Sequence, residues 1–217
     1  MKFKAFIALD KKTNNENIKI VKKLSSQVCG FKVGYRSFYN KGSEKLLSEI
    51  KKRRSQLFLD LKLHDIPNTV SNAINSLSKI NPEYMTLHIS GGKTMLKQSL
   101  MAVKKLKLKT KLLGVTLLTS LDQKDSKQIY SQENTNDLVY KFAEIANTSK
   151  IHGLICSGQE LGNLKKFKNL IKITPGVKLF RRKDDQKRIT FAHEALENGA
   201  DYVVIGRELI NSKNPLN

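Results

Sequence analysis

The stretch FLDLKLHDIPNT at residues 58–69 combines the pattern of a β-strand with an unusual density of charge. Side chains of a strand alternate between its two faces, so Asp60 and Lys62 share one face while leucines at the alternate positions occupy the other. Charges on an inward face persist only when they are paired or functional. An isolated pair of this kind is typical of a structural ion pair at a strand end. The second acid at Asp65 and the Ile66-Pro67-Asn68-Thr69 continuation favour a functional site.

Strand-like and helix-like segments alternate along the rest of the chain. The predicted strands cover residues 3–9, 28–33, 56–62, 84–89, 112–118, 151–156, 170–174 and 201–206. Amphipathic segments that predict helices lie between them, at residues 16–25, 42–53, 68–79, 93–106, 135–148, 158–168 and 190–198. This alternation indicates an α/β fold of the (β/α)8 TIM-barrel class rather than an open sheet. No linker or low-complexity segment divides the chain, so we expect a single catalytic domain over residues 1–217.

The predicted eighth strand lies close to the end of the sequence. Only ten residues follow Arg207, which is too few for a helix that packs along a whole strand. We therefore expect the final helix to be missing or reduced to a turn at residues 207–211.

Composition sets limits on the partners and the compartment. The formal net charge is +21, but the lysines are spread along the chain without the interleaved aromatic residues of a platform for single-stranded nucleic acid. We expect no dedicated nucleic-acid partner, and a positive field that attracts an anionic small substrate. The sequence lacks both a membrane-spanning apolar run and a signal-peptide pattern at its start. Cys29 and Cys156 are typical of reduced buried thiols, so we expect a cytoplasmic protein.

Polar residues cluster where the predicted strands end, which is where (β/α)8 barrels carry their chemistry. From strand one to strand eight they are Asp10, Lys32, Asp60, Lys62, Asp65, His88, Thr119, Thr174, Gly206 and Arg207. The loops after strands seven and eight are the usual phosphate cradle of such barrels. Gly206 permits close approach of the backbone, and Arg207 offers a bidentate guanidinium. The basic segment 177–188, which contains Gln186, is long enough to fold over a ligand as a lid.

A metal centre is the alternative interpretation of these polar groups. Lys62 places an ammonium between Asp60 and Asp65, where a metal ion would otherwise bind, so we expect a metal-free site. His88 has the chemistry of a metal ligand, but we expect it to be a hydrogen-bonded histidine at the end of a strand.

Together these motifs resemble the orotidine 5′-phosphate decarboxylase family of the bacterial type. The resemblance rests on ALD at residues 8–10, FKVG at 31–34, FLDLKLHDIPNT at 58–69, LHISGG at 87–92, LLTS at 117–120, TPGV at 174–177, DDQKR at 184–188 and VVIGR at 203–207. The motifs follow one another in the family's order from strand one to strand eight. Related phosphosugar decarboxylases and synthases share the D-x-K-x-x-D pattern but not, as a rule, the I-P-N-T continuation.

The resemblance implies the decarboxylation of orotidine 5′-monophosphate to UMP, the last step of de novo pyrimidine synthesis, without a cofactor. It implies that Lys62 protonates C6 of the pyrimidine as CO2 leaves, and that Asp60 lies beside the substrate carboxylate and holds Lys62 in place. Lys32 would connect this charge chain to Asp10, and both would bind ribose hydroxyls.

The remaining implied roles concern the base, the phosphate and a second subunit. Thr119 would contact the pyrimidine, whereas Gln186, Gly206 and Arg207 would hold the phosphate. Asp65 and Thr69 would reach into the site of a neighbouring subunit, which makes a homodimer obligatory for activity.

One departure from the family pattern concerns the phosphate. The family usually carries an arginine directly after T-P-G-hydrophobic, whereas this chain has Lys178. Lysine keeps the charge but loses the planar fork of arginine. We therefore expect Lys178 to bind the phosphate more weakly, or Arg181 or Arg182 to replace it.

Two other functions are compatible with the same residues. One is a phosphosugar decarboxylase or aldolase of the same barrel superfamily, which a requirement for magnesium would favour. The other is a degenerate barrel that binds RNA through its basic surface, which steeply salt-dependent RNA affinity without turnover would favour.

Overall fold

The computed structural model describes residues 2–132, 134–179 and 190–206, and its strands close into a parallel barrel. The strands are β1 (Phe3–Ala8), β2 (Val28–Gly34), β3 (Gln56–Leu63), β4 (Tyr84–His88), β5 (Lys111–Val115), β6 (Gly153–Ile155), β7 (Ile171–Pro175) and β8 (Tyr202–Ile205). Each strand pairs with the next one in the chain, and β8 pairs with β1. The predicted (β/α)8 barrel is therefore confirmed.

Helices on the outside of the barrel connect the strands. They are α1 (Asn14–Leu24), α2 (Tyr35–Tyr39), α3 (Ser43–Lys52), α4 (Pro67–Ser76), α5 (Gly92–Lys105), α6 (Gln123–Tyr130), α7 (Thr135–Thr148) and α8 (Ala192–Glu197). Thr13 and Glu16 form a capping box at the start of α1, and Asp122 and Asp125 form another at the start of α6. These side chains satisfy backbone N–H groups that have no partner within the helix.

Local structure departs from the sequence pattern in a few segments. The predicted helix at residues 158–168 is wrong, because only a single 3₁₀ turn forms there, at Leu161–Leu164. The ammonium of Lys172 on β7 donates to the carbonyls of Phe167 and Leu170 and holds the chain in an irregular path after this turn. The helices α2 and α6 occupy segments for which the sequence pattern predicts no helix.

Two predictions from the sequence concern residues that the structure does not describe. The turn expected at residues 207–211 lies outside the described ranges, and so does most of the predicted lid at 177–188. Within the described ranges, no helix is both long and apolar enough to cross a membrane. Cys29 and Cys156 are both free thiols, but only Cys156 is buried as predicted, whereas Cys29 is partly exposed.

The alternation of side chains along β3 and β4 decides which end of the barrel is polar. Phe58 and Tyr84 belong to the apolar cluster inside the barrel, and the leucines of β3 pack between the sheet and the helices, as the sequence predicts. Asp60 and Thr86 follow Phe58 and Tyr84 at a spacing of two residues, so they also lie on the inner side of their strands. The buried polar groups of these strands therefore lie toward the carboxyl ends.

Candidate active site

Asp60 is the centre of a three-residue ion-pair cluster. Its Oδ1 lies 2.8 Å from Nζ of Lys62, and its Oδ2 lies 3.3 Å from Nζ of Lys32. The exposed fraction of the side chain is 11% for Asp60, 13% for Lys32 and 29% for Lys62. Each carboxylate oxygen thus faces one ammonium, and the cluster carries more positive than negative charge. These three charges meet at the carboxyl end of β3.

The surroundings keep the Asp60 carboxyl group ionised. Burial alone would raise its pKa, but the charges of Lys32 and Lys62 and hydrogen bonds from Lys62 and Thr86 outweigh burial. The pKa of Asp60 therefore lies below its usual value. At neutral pH the carboxylate is a fixed negative charge that both lysines share.

An irregularity in β3 sets the position of Lys62. The register between β3 and β4 changes after Leu59. Leu59 pairs with Met85 and Leu63 pairs with Leu87, so a step of four residues along β3 corresponds to a step of two along β4. Lys62 has a φ of +41°, in the left-handed region that residues other than glycine rarely adopt. Bulges re-aim side chains beside active sites, and such strained backbone persists only where its surroundings hold it. Here the bulge accompanies the contact between Lys62 and Asp60.

The predicted ribose and base ligands lie at the same end of the barrel. Ala8 of β1 pairs with Lys32 of β2, so Asp10 follows β1 at the level of the ion-pair cluster. Within the described ranges no ion pair joins Asp10 to Lys32, whose partner is Asp60. Thr119 is exposed in the loop after β5. The barrel thus places Asp10 and Thr119 at the same end as the cluster, and within the described ranges neither residue bonds to it.

Asp65 and Thr69 lie outside the ion-pair cluster of their own chain. Asp65 precedes α4, is exposed, and accepts a hydrogen bond of 2.6 Å from the backbone N–H of Ile66. Thr69 is exposed in the first turn of α4. Both side chains are therefore accessible to another molecule.

The predicted phosphate ligands are only partly described. Gly176, just after β7, has a φ of +73°, which favours glycine and explains the T-P-G sequence. Lys178 is half-buried, and its backbone bonds with Thr190 and Ala192 connect it to the start of α8. Gly206 directly follows β8. The other predicted phosphate ligands lie outside the described residues: Gln186, Arg207, Arg181 and Arg182.

The expected hydrogen bond of His88 is wrong. Within the described ranges its ring makes no hydrogen bond and instead packs against His64, with ring centroids 5.2 Å apart. Burial, His64 and the charge of Lys62 lower the pKa of His88, while Asp60 opposes them. His88 is therefore a neutral packing partner near the cluster at neutral pH.

Sequence reasoning missed two residues that bond to β3. Thr86 of β4 is fully buried and donates to Asp60 Oδ1 at 3.0 Å, and Tyr35 donates to the carbonyl of Leu61 at 2.7 Å. Thr86 lies two positions after the inward-facing Tyr84, so the strand pattern could have placed its hydroxyl inside the barrel. Tyr35 had no such signal, because it follows β2 and reaches β3 only through the fold.

A closed (β/α)8 barrel with a buried lysine–carboxylate cluster at the carboxyl ends of its strands defines the protein as a barrel enzyme. No group of three or more His, Cys, Asp and Glu side chains in the described part of the chain could hold a metal ion. The family model "Orotidine 5'-phosphate decarboxylase / HUMPS family" matches residues 4–217, and the chain belongs to this family.

Similar proteins agree with this assignment over nearly the full chain. An orotidine 5'-phosphate decarboxylase of Wolbachia sp. subsp. Brugia malayi is 40% identical, with 97% of this chain and 93% of the relative covered. One from Coxiella burnetii is 36% identical, with 98% and 92% covered. The crystal structure of orotidine 5'-phosphate decarboxylase from Lactobacillus acidophilus superposes with a TM-score of 0.80 at 29% identity, with 99% and 94% covered.

Proposed function

We propose that the protein decarboxylates orotidine 5′-monophosphate to UMP, the last step of de novo pyrimidine synthesis. The observation that carries the proposal is the buried cluster in which Asp60 pairs with both Lys62 and Lys32. The relatives named orotidine 5'-phosphate decarboxylase support it, because they align over more than nine tenths of both chains. In this proposal residues 1–217 form one catalytic domain.

Lys62 is the proton donor in the proposed reaction. As the bond between C6 and the substrate carboxylate breaks, its electron pair stays on C6 and CO2 leaves. A proton moves from the Lys62 ammonium to C6 and forms the new C–H bond, and the neutral amine then regains a proton from water. Within the described residues the Lys62 ammonium bonds only with Asp60, so it keeps donors for the substrate.

Electrostatic preorganisation is the main contribution of the cluster. The ammonium of Lys62 is in place before the carbanion develops, so little reorganisation is needed at the moment of reaction. Asp60 holds this ammonium in position through its Oδ1, and the ammonium of Lys32 pairs with Oδ2 of Asp60. No step in this scheme requires a metal ion or an organic cofactor.

The rest of the substrate is assigned to the surrounding loops. Asp10 and Lys32 bind the ribose hydroxyls, and Thr119 contacts the pyrimidine. The phosphate ligands are Lys178, Gln186, Gly206 and Arg207. The support for this assignment is that Asp10, Thr119, Lys178 and Gly206 all follow barrel strands at their carboxyl ends.

We also propose a homodimer in which Asp65 and Thr69 complete the partner's site. Both residues are exposed, and so are two large apolar side chains of the same end of the barrel. Ile66, next to Asp65 in the chain, is 66% exposed, and Tyr39, whose ring stacks on that of Tyr35, is 75% exposed. Exposed apolar residues grouped beside a site are typical of an interface. A second copy of the chain would cover them and bring a carboxylate to the cationic cluster.

The free thiols support a cytoplasmic enzyme.

The activity itself is tested by incubating the purified protein with orotidine 5′-monophosphate in the presence of EDTA. The substrate's absorbance should decrease and UMP and CO2 should form in equal amounts. Activity that appears only with added magnesium, on a phosphosugar instead, would favour the related barrel enzymes. Absence of turnover together with salt-dependent RNA binding would favour the degenerate barrel.

Sharing of sites between subunits predicts recovery of activity from two inactive variants. Lys62→Ala and Asp65→Ala chains should each be inactive, but a mixed dimer contains one site with an intact Lys62 and an intact partner Asp65. Random pairing should therefore restore about one quarter of wild-type activity, since about half of the dimers are mixed and half of their sites are intact. Co-expression of the two chains and an assay of the unfractionated dimers measures this value, and a mixed dimer purified through two different tags should have about half of wild-type activity. No recovery in a dimer that forms normally would place Asp65 in its own chain's site.

A further inference from the structure

We propose that Thr86 is a positioning residue that holds Lys62 and Asp60 in their reactive arrangement. The inference rests on the proposed function, in which Lys62 is the proton donor. Thr86 lies on β4, is fully buried, and is hydrogen-bonded to both residues of the pair. Thr86 has no exposed surface through which it could bind a substrate.

The direction of each hydrogen bond of Thr86 is fixed by its partners. The backbone N–H of Lys62 donates to Thr86 Oγ1 at 2.8 Å, so the hydroxyl acts as the acceptor there. Its single proton is then available for Asp60 Oδ1, 3.0 Å away, which as a carboxylate can only accept. One hydroxyl thus connects the backbone of Lys62 to the carboxylate that bonds the side chain of Lys62.

These bonds lie where β3 and β4 lose their regular register. Lys62 has a left-handed φ, which a lysine adopts only when its surroundings compensate. The N–H of the peptide between Leu61 and Lys62 is held by Thr86, and the carbonyl of the same peptide accepts from the hydroxyl of Tyr35. Both polar groups of this peptide are therefore held by side chains of neighbouring segments. Without them, the bulge is free to relax toward a regular strand.

Relaxation of the bulge would move the Lys62 ammonium with respect to the substrate. A misplacement of about 1 Å is enough to lower a rate by about 10²-fold. The residues assigned to the ribose and the phosphate lie outside the bulge, so binding is expected to change little. A loss of Thr86 should therefore appear in kcat rather than in KM.

The test compares Thr86→Val, which keeps the shape but lacks the hydroxyl, with Thr86→Ser, which keeps the hydroxyl. Thr86→Val should lower kcat by about 10- to 100-fold, the range expected for a lost hydrogen bond to a charged group. KM should change by less than about threefold, and Thr86→Ser should restore most of kcat. Tyr35→Phe, which removes only a hydroxyl at a partly exposed position, should lower kcat by a smaller factor of about 3 to 10.

Thr110→Val is the matched control. Thr110 is also buried, and its hydroxyl donates to the carbonyl of Pro82 at 2.7 Å just before β5, at the opposite end of the barrel. This variant should lose stability but keep kcat. Equal losses of kcat in Thr86→Val and Thr110→Val would overturn the inference, as would an unchanged kcat in Thr86→Val. Turnover by Lys62→Ala would instead overturn the proposed proton donor.

Discussion

Replacement of Lys62 by alanine should lower kcat for orotidine 5′-monophosphate by at least about 10⁴-fold. The change removes both the proton donor and the ammonium that stabilises the developing carbanion, which contribute about 10²- to 10⁴-fold and about 10²- to 10³-fold in comparable sites. The fold should survive, because the side chain of Lys62 is partly exposed and Lys32 still pairs with Asp60. Absorbance assays at substrate saturation, with circular dichroism as a check of folding, measure the loss.

Two further variants separate the roles of Lys62 from a general effect of charge. Lys93→Ala removes an exposed lysine at the start of α5, at the same end of the barrel, and should leave kcat unchanged. Lys62→Arg keeps the positive charge but presents a group that does not give up its proton at neutral pH. It should remain nearly inactive if proton transfer is required. An active Lys62→Arg enzyme would reduce the role of Lys62 to electrostatics.

Replacement of Asp60 by asparagine should lower kcat by about 10²- to 10³-fold, as when one preorganised charged contact is lost. The cause is the loss of the carboxylate that fixes Lys62 and pairs with Lys32. The free energy of unfolding should fall by about 3 to 5 kcal/mol at neutral pH, because two ammonium groups are left without their shared counter-charge in a largely buried site. Urea unfolding and steady-state kinetics measure the two effects.

The pH dependence of stability checks the same charge. The pKa of Asp60 is lower in the folded protein than its ordinary value of about 3.9, so its stabilising contribution is present above that pH. It is lost as the pH falls through the lower folded-state value. The stability difference between wild type and Asp60→Asn should therefore shrink in acid.

Asp201→Asn is the control for the kinetic effect of Asp60→Asn. It removes a carboxylate that is bonded to the backbone of Lys172 and lies just before β8, and it should keep kcat.

The sequence was sufficient for those parts of the fold and site that depend on local periodicity. The alternation in FLDLKLHDIPNT placed Asp60 and Lys62 on the inner face of β3, and the strand ends placed Asp10, Lys32 and Thr119 at one end of a barrel. The bulge at Lys62 could not be predicted, because a period of two assumes regular pairing with β4. No α-helix forms at residues 158–168, where one was predicted, because the periodicity of a segment carries no information about its contacts with other elements.

The hydrogen bonds of Thr86 and Tyr35 to β3 are non-local, which is why they were missed. Thr86 is separated from Asp60 by 26 residues, and Tyr35 is separated from Leu61 by 26 residues. Only the closed barrel brings these segments together. A polar residue at an inward strand position, such as Thr86, is the one signal that could have been used.

The role of Lys62 as the proton donor is tested by the rates of decarboxylation of wild type and Lys62→Ala, measured side by side in EDTA. We predict rapid loss of the absorbance of orotidine 5′-monophosphate with the wild type, and a rate at least about 10⁴-fold lower with a folded Lys62→Ala protein. A folded Lys62→Ala protein that retains turnover within about tenfold of the wild type would contradict it.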